Sequence, residues 1–239
     1  MDLVNLIYAI KEQSNEEIRN SELLKFVGFC LQNADRSYAQ NYQDVWALWQ
    51  AQKLNIKDLF FVEFGATDGI TSSNTYLLEK EFGWKGILAE PNPFWHNDLL
   101  KNRTCSISKD CVFDRTGDVV DFMMVEAADL STIKGFGKDE FTEQRKKSEL
   151  TKVNTISLVD LLDSYKAPAE IDYLSIDTEG SEYGILNAFF QNNKKYYIRN
   201  ITVEHNFSMR EILYELLTAN GYKRVFAELS RWDDFYTRS

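Results

Sequence analysis

Two stretches of this 239-residue chain combine residue types and spacing that can do chemistry. In IDTEGSE, the acids Asp177, Glu179 and Glu182 follow directly on the apolar run Ile171 to Ile176. In VEHN, Glu204, His205 and Asn206 end a second apolar run that begins at Ile201. If both runs are neighbouring strands, four carboxylates, an imidazole and an amide meet at their ends. Acids so placed repel one another unless a cation or a shared proton intervenes. Two chemistries suit the set. Asp177, Glu204 and His205 offer ligands to a divalent ion such as Mn²⁺, Mg²⁺ or Fe²⁺, which would lower a hydroxyl's pKa and orient it. Without a metal, His205 or Glu179 is the candidate general base that removes the hydroxyl proton.

A binding site is legible upstream, in FVEFGATDGITSSN and GILAE. A strand ending at Phe64 leads straight into Gly65, Ala66, Thr67, Asp68 and Gly69. The two glycines let backbone turn tightly and approach a ligand, and Ser72, Ser73 and Asn74 offer a helix cap and hydrogen bonds. The next strand ends at Glu90, where an acid in a Rossmann-like unit accepts hydrogen bonds from ribose hydroxyls. The turn is neither GxGxxG nor GxxxxGK[ST], and Glu63 and Asp68 would repel phosphate and suit a ligand with a cationic amine. A ribose joined to a cationic amino acid describes S-adenosylmethionine.

The elements that must position these residues follow from periodicity. Leu59 to Phe64, Gly86 to Ala89, Thr104 to Ser108, Ile171 to Ile176 and Ile201 to Glu204 are expected strands. Helices are expected over Ser73 to Phe82, Phe94 to Asn102, Leu158 to Tyr165, Glu182 to Phe190 and Met209 to Asn220. The alternation predicts an α/β domain with a mainly parallel sheet. Tyr222 to Leu229 and Phe235 to Thr237 are expected to close it as an antiparallel hairpin, with Asp118 to Val125 as an extra strand. Residues 126–153 form a charged stretch without period, too long for an ordinary connection and a candidate lid. Residues 1–36 read as an N-terminal helical extension through Leu3, Leu6, Ile7, Ile10, then Leu23, Leu24, Val27 and Leu31, a candidate cover for the sheet, a dimer face or a substrate lid. The main domain is expected over residues 37–239.

Composition sets the outer bounds. A hydrophobic share of 44% supplies a core, and 27 basic against 37 acidic residues give a net charge of −10. That charge argues against nucleic acid or an anionic membrane surface as partner. Cys30, Cys105 and Cys111 show neither disulfide nor zinc spacing. No apolar run is long enough to span a membrane. The expected setting is soluble and cytoplasmic.

The segments SYAQNYQD (37–44), VEFGATDG (62–69), NTYLLEKEFGWKGILAEPNP (74–93), TISLVDLL (155–162), IDYLSIDTEGSEYGIL (171–186) and WDDFY (232–236) together resemble the FkbM family of S-adenosylmethionine-dependent methyltransferases. The resemblance implies a Rossmann-like class I methyltransferase fold and O-methylation of a sugar. The acceptor it implies is a nucleotide-activated sugar or a precursor of a surface polysaccharide such as capsule. It places the methionine part on the Gly65–Gly69 loop beside Asn74, the ribose on Glu90, the adenine edge near Asp110 and the methyl donor near Asp177. It also assigns Tyr38, Gln40 and Asp44 to closure over the cofactor or to folding. Tyr42 and Gln43 stand where the family carries a glycine and an acid. The rivals are a nucleotide-sugar oxidoreductase or epimerase and a non-catalytic nucleotide-binding module. Tyr76-x-x-x-Lys80 mimics a dehydrogenase pair but lies in the first helix after the glycine turn, and the module would lack the DTEG and EHN residues.

Overall fold

A computed structural model describes residues 21–54, 57–125, 130–136, 142–145, 147–205 and 209–238. The chain begins with α1 (Glu22–Asn33), capped by the Ser21 hydroxyl, which accepts from the Leu24 amide. After a 3₁₀ turn (Ala34–Arg36) comes α2 (Gln43–Gln52), then β1 (Phe60–Phe64), α3 (Tyr76–Phe82), β2 (Lys85–Ala89), α4 (His96–Asn102) and β3 (Ser106–Ser108). The chain then runs through β4 (Cys111–Phe113), β5 (Val119–Met124), β6 (Thr132–Ile133), α5 (Thr142–Arg145) and β7 (Glu149–Ser157). It returns through α6 (Leu158–Ser164), β8 (Glu170–Ile176), α7 (Glu182–Asn192), β9 (Tyr197–Glu204), α8 (Arg210–Ala219), β10 (Lys223–Val225) and β11 (Asp233–Thr237).

The main sheet has seven strands in the order β10-β11-β9-β8-β1-β2-β3. Strands β3, β2, β1, β8 and β9 are parallel, and β11 and β10 add an antiparallel edge, as the periodicity predicts. Alternation along each strand supplies two apolar faces. Val62, Phe64, Ile87, Leu174 and Ile176 pack against Leu161, Leu186 and Leu213 of α6, α7 and α8. Phe61, Leu88, Tyr173 and Phe235 pack on the other side with Phe26, Trp46, Leu77 and Leu99 of α1 to α4. The result is a three-layer α/β/α arrangement.

Three regions depart from expectation, the first being α2, where the periodicity predicts no helix. Within residues 1–36, those up to 20 lie outside the described ones, and the buried stripe of α1 is Phe26, Cys30 and Asn33; Leu31 is 67% exposed. Asp118 to Val125 does form a strand, β5, but in a second sheet, ordered β4-β7-β5-β6. This sheet also takes in described parts of the stretch expected to be irregular, as β6 and β7, around a small core of Cys111, Phe122, Ile133 and Val153. Among the described residues no helix is long and apolar enough to cross a membrane.

Candidate active site

In an open parallel sheet, ligands collect beyond the carboxyl ends of the strands where the winding reverses. Here the reversal lies between β1 and β8, and a cavity of about 610 Å³ opens there. Its walls come from the loops after β1, β2 and β8, from the end of β9, from the start of β11 and from the second sheet.

Gly65 sits at the junction. Its φ is +75°, and a Cβ there would stand 2.1 Å from the Asp177 carbonyl oxygen, so the backbones after β1 and β8 touch where only glycine fits. Thr67 extends from this turn and its amide donates to Glu90 Oε2 at 2.9 Å. The Asn92 amide donates to Glu90 Oε1 at 2.7 Å, so the carboxylate at the end of β2 is held in place by two backbone groups. Each of its oxygens keeps a further lone pair for a ligand hydroxyl. Burial pushes this carboxyl up to about 7, against both amides, and the charge of Asp177 adds to the rise. Asn74 also lines the cavity; its Nδ2 donates to Ser175 Oγ at 2.8 Å, while its buried Oδ1 accepts no hydrogen bond.

The other residues expected at the cofactor build the loop without lining the cavity. Glu63 lies on the opposite face of β1 from Val62 and Phe64. There its carboxylate accepts from the Asn74 amide at 2.7 Å and from the Ser73 and Thr75 hydroxyls. It therefore cannot meet a cationic amine in the cavity. Asp68 caps its own turn, accepting from the Ile70 and Thr71 amides at 2.8 and 2.7 Å. Ala66 is buried in the core, and Gly69 packs against Leu99 and Arg103, which donates to its carbonyl. Asp110 stands just beyond β3, outside the lining, beside Cys111 and Val112, which do line it.

The acidic wall is assembled from three strand ends. Asp177, Glu179 and Glu204 bring carboxylate oxygens within 4.8 Å of one another. Asp233, at the start of β11 and in register with Glu204, also lines the cavity. Burial, then the charges of Asp177, Glu179, Glu182 and Asp233, hold the Glu204 carboxyl well above the usual carboxylate range. Burial and Asp177 push Asp233 up to about 8, opposed by Gln43 Nε2, which donates to Asp233 Oδ2 at 2.8 Å. Glu182 is a loop support: its Oε1 accepts from Thr178 and Gly180 amides at 3.0 and 2.9 Å. Glu179 adopts φ +59°, its carbonyl accepts from Thr132 Oγ1 at 2.9 Å, and its Oε2 pairs with Arg145 Nη2 at 2.5 Å.

His205 does not join this set. Neighbouring residues at a strand end face opposite ways. Glu204 enters the cavity, whereas the His205 ring is buried outside the lining, with Nε2 3.1 Å from Ser230 Oγ and 3.9 Å from Asp234. Of the metal set Asp177, Glu204 and His205 expected from the sequence, Asp177 and Glu204 are brought together, with Glu179 beside them, and His205 is left out. Asn206 lies outside the described residues.

Sequence reasoning gives no role to Asp233 or Trp232, although WDDFY is among the motifs it quotes. It also passes over Phe94, Trp95 and Ser131, all of which line the cavity. Of the N-terminal motif, Gln40 lines the cavity and donates to Ser72 Oγ at 3.2 Å. Asp44 is a buried cap that accepts from Ser37 Oγ at 2.6 Å and the Tyr38 amide at 2.9 Å. Tyr38 packs on Tyr76, with ring centres 4.6 Å apart.

No curated protein matches the chain. Among solved structures it is similar to a precorrin-6Y C5,15-methyltransferase from Geobacter metallireducens GS-15, with 13% identity, 90% of this chain and 99% of that one covered, and a TM-score of 0.41. It is also similar to a ribosomal protein L11 methylase from Lactobacillus delbrueckii subsp. bulgaricus, with 9% identity over 82% and 79% of the two chains and a TM-score of 0.40. A third similarity is to the N-terminal domain of human METTL16 in complex with SAH, with 14% identity over 81% and 68% and a TM-score of 0.39. The assignment rests on the sequence family. The Methyltransferase FkbM domain matches residues 63–224, more than half of the chain and all of the parallel sheet around the cavity except the start of β1, so the protein belongs to the FkbM family of S-adenosylmethionine-dependent methyltransferases.

Proposed function

We propose that the protein is an O-methyltransferase that transfers the sulfonium methyl of S-adenosylmethionine to a sugar hydroxyl. The carrying observation is the two-part cavity: Gly65, Asn74 and Glu90 on one side, the acids Asp177, Glu204 and Asp233 on the other. The residues fit the cofactor. Glu90 would take the ribose, the apolar patch of Val112, Phe122 and Ile133 would face the adenine, and the unpaired Asn74 Oδ1 would accept from the methionine ammonium. When bound, the cofactor supplies an electrophilic methyl group.

The chain's own residues do the rest. Carboxylates on the acidic wall accept hydrogen bonds from sugar hydroxyls, and Phe94, Trp95 and Trp232 offer aromatic faces to a sugar ring. Asp233, with a proton affinity close to neutral pH, is the proposed base for the acceptor hydroxyl. Glu179, paired with Arg145, and His205, outside the lining, are less suited to that role than the sequence suggests. Asp177 holds the donor end through its backbone contact with Gly65. A nucleotide-activated sugar or a polysaccharide precursor remains the proposed acceptor class. Among the described residues no lysine or arginine lines the cavity.

Asp177, Glu179 and Glu204 come close enough together for a divalent ion, but two observations favour a metal-free reading. The imidazole expected among the ligands faces Ser230, and Glu179 already has a guanidinium as its cation. We therefore propose proton removal without metal.

Calorimetry with S-adenosylhomocysteine tests the donor half, and addition of Mn²⁺ or Mg²⁺ is expected to leave its affinity unchanged. Mass spectrometry of a panel of nucleotide-activated and free sugars tests the acceptor half. On an acceptor so found, Asp233→Asn is expected to lower turnover by about 10²–10⁴-fold while S-adenosylhomocysteine still binds. Failure of the wild type to bind that ligand would remove the donor site. Unchanged turnover in Asp233→Asn would remove the base.

A further inference from the structure

The charge of the cavity is one-sided. Among the described residues that line it, five are carboxylic acids, Glu90, Asp177, Glu179, Glu204 and Asp233, and none is lysine, arginine or histidine. Two of the five have evident duties elsewhere, Glu90 at the ribose end and Glu179 in its pair with Arg145. Asp177, Glu204 and Asp233 stand together around the end of the cavity where the Gly65 turn meets β8. Gln43 is a neutral donor to Asp233, so it orients that carboxylate without cancelling its charge. Burial first, and then repulsion from the neighbouring carboxylates, shift Glu204 and Asp233 upward. A cation entering there relieves the repulsion, and a neutral molecule does not.

The donor and its product differ in just this respect. S-adenosylmethionine and S-adenosylhomocysteine share adenine, ribose and amino acid, so contacts at Glu90, Asn74 and Gly65 are the same for both. Only the donor carries a sulfonium. In the transfer a C–O bond forms as the S–CH₃ bond breaks, and sulfur keeps the electron pair and becomes a neutral thioether. The hydroxyl proton passes to a wall carboxylate. The step thus removes the cation and one negative charge from the wall together. An interaction present in the substrate complex and lost in the product complex weakens product binding without weakening the shared contacts.

We propose that the wall of Asp177, Glu204 and Asp233 makes this protein hold S-adenosylmethionine at least tenfold more tightly than S-adenosylhomocysteine, so that methyl transfer itself loosens the spent cofactor. The inference rests on the cofactor placement proposed above. It is tested by titrating the full-length wild type calorimetrically with S-adenosylmethionine, S-adenosylhomocysteine and sinefungin, in which an amine-bearing carbon replaces the sulfonium. Sinefungin is expected to bind like the donor. Asp233→Asn and Glu204→Gln are each expected to narrow the gap by weakening the donor while leaving S-adenosylhomocysteine within about twofold. Equal affinities in the wild type, a tighter product, sinefungin following the product, or a gap unchanged in both variants would each overturn the inference. If S-adenosylhomocysteine binds and the gap is absent, the cofactor placement stands and only the discrimination falls. If no ligand binds, the placement falls and takes the discrimination with it.

Discussion

Gly65→Ala is the most informative single change, because it perturbs the contact on which both halves of the cavity depend. The added Cβ would stand 2.1 Å from the Asp177 carbonyl oxygen, a backbone atom fixed at the end of β8, so the two loops must part by roughly 1 Å or more. The φ of +75° adds about 1–2 kcal/mol for a residue with a Cβ. Overpacking against a braced neighbour adds about 1–3 kcal/mol, for a total of about 2–5 kcal/mol. For a domain of this size that corresponds to a fall in Tm of roughly 4–20 °C. A displacement of this size between donor and acceptor also costs about 10²-fold in turnover. Thermal unfolding and calorimetry with S-adenosylhomocysteine check both effects, with Gly28→Ala as the control. A Cβ at Gly28 in α1 meets nothing within 4 Å, and that variant is expected to gain about 0.5–1 kcal/mol. A Gly65→Ala protein that melts and binds like the wild type would refute the claim that this contact shapes the site.

Two further outcomes follow from single residues. Burial raises the Glu90 carboxyl from its ordinary 4.5 to about 7. Below pH 4.5 both states hold the proton and the group is neutral to stability. Between pH 4.5 and 7 only the unfolded chain ionises, and about 3 kcal/mol of stability is lost as pH rises. Glu90→Gln should therefore flatten the decline in urea stability between pH 5 and 7.5 while weakening S-adenosylhomocysteine at least tenfold; an unchanged pH slope counts against the buried acid. Tyr42 begins α2 at φ +58° and is 39% exposed, so Tyr42→Gly removes backbone strain at little cost in burial. It is expected to raise stability by about 1 kcal/mol, read as a rise in Tm, and a fall would contradict the strain.

The parallel sheet and the donor turn are legible in the sequence because their signals are local. Short apolar runs end at Phe64, Ala89 and Ile176, and a glycine turn or an acid follows each. Less legible is anything decided by which way a side chain faces. Glu63 and Glu204 look alike as acids at strand ends, yet one supports the Ser73–Thr75 turn and the other enters the cavity. His205 beside Glu204 seems convergent until the strand's alternation is applied. No helix is expected over Gln43–Gln52 because the element buries Gln43, Asp44 and Gln50 along with Val45, Trp46, Ala47 and Leu48, so it lacks the polar face that marks a surface helix. Asp233 escapes because its register opposite Glu204 is long-range, set by the antiparallel pairing of β11 with β9. The second sheet escapes for the same reason, since three-residue β4 pairs with β7 across some forty residues of chain.

The touching backbones at Gly65 and Asp177 divide the pocket into a fixed half and an adjustable half. Donor turn and acid loop hang from adjacent strands of one sheet and meet without a side chain between them, so neither can be retuned without the other. The facing wall, with Leu130 and Ser131, leads into β6 of a separate small sheet and reaches the acid loop through Thr132 and Arg145. Changes in acceptor preference therefore have room to accumulate on that wall while the geometry of methyl donation stays constant. A library confined to Leu130 and Ser131, which leaves the proposed adenine patch intact, is expected to vary the substrate and leave the reaction alone.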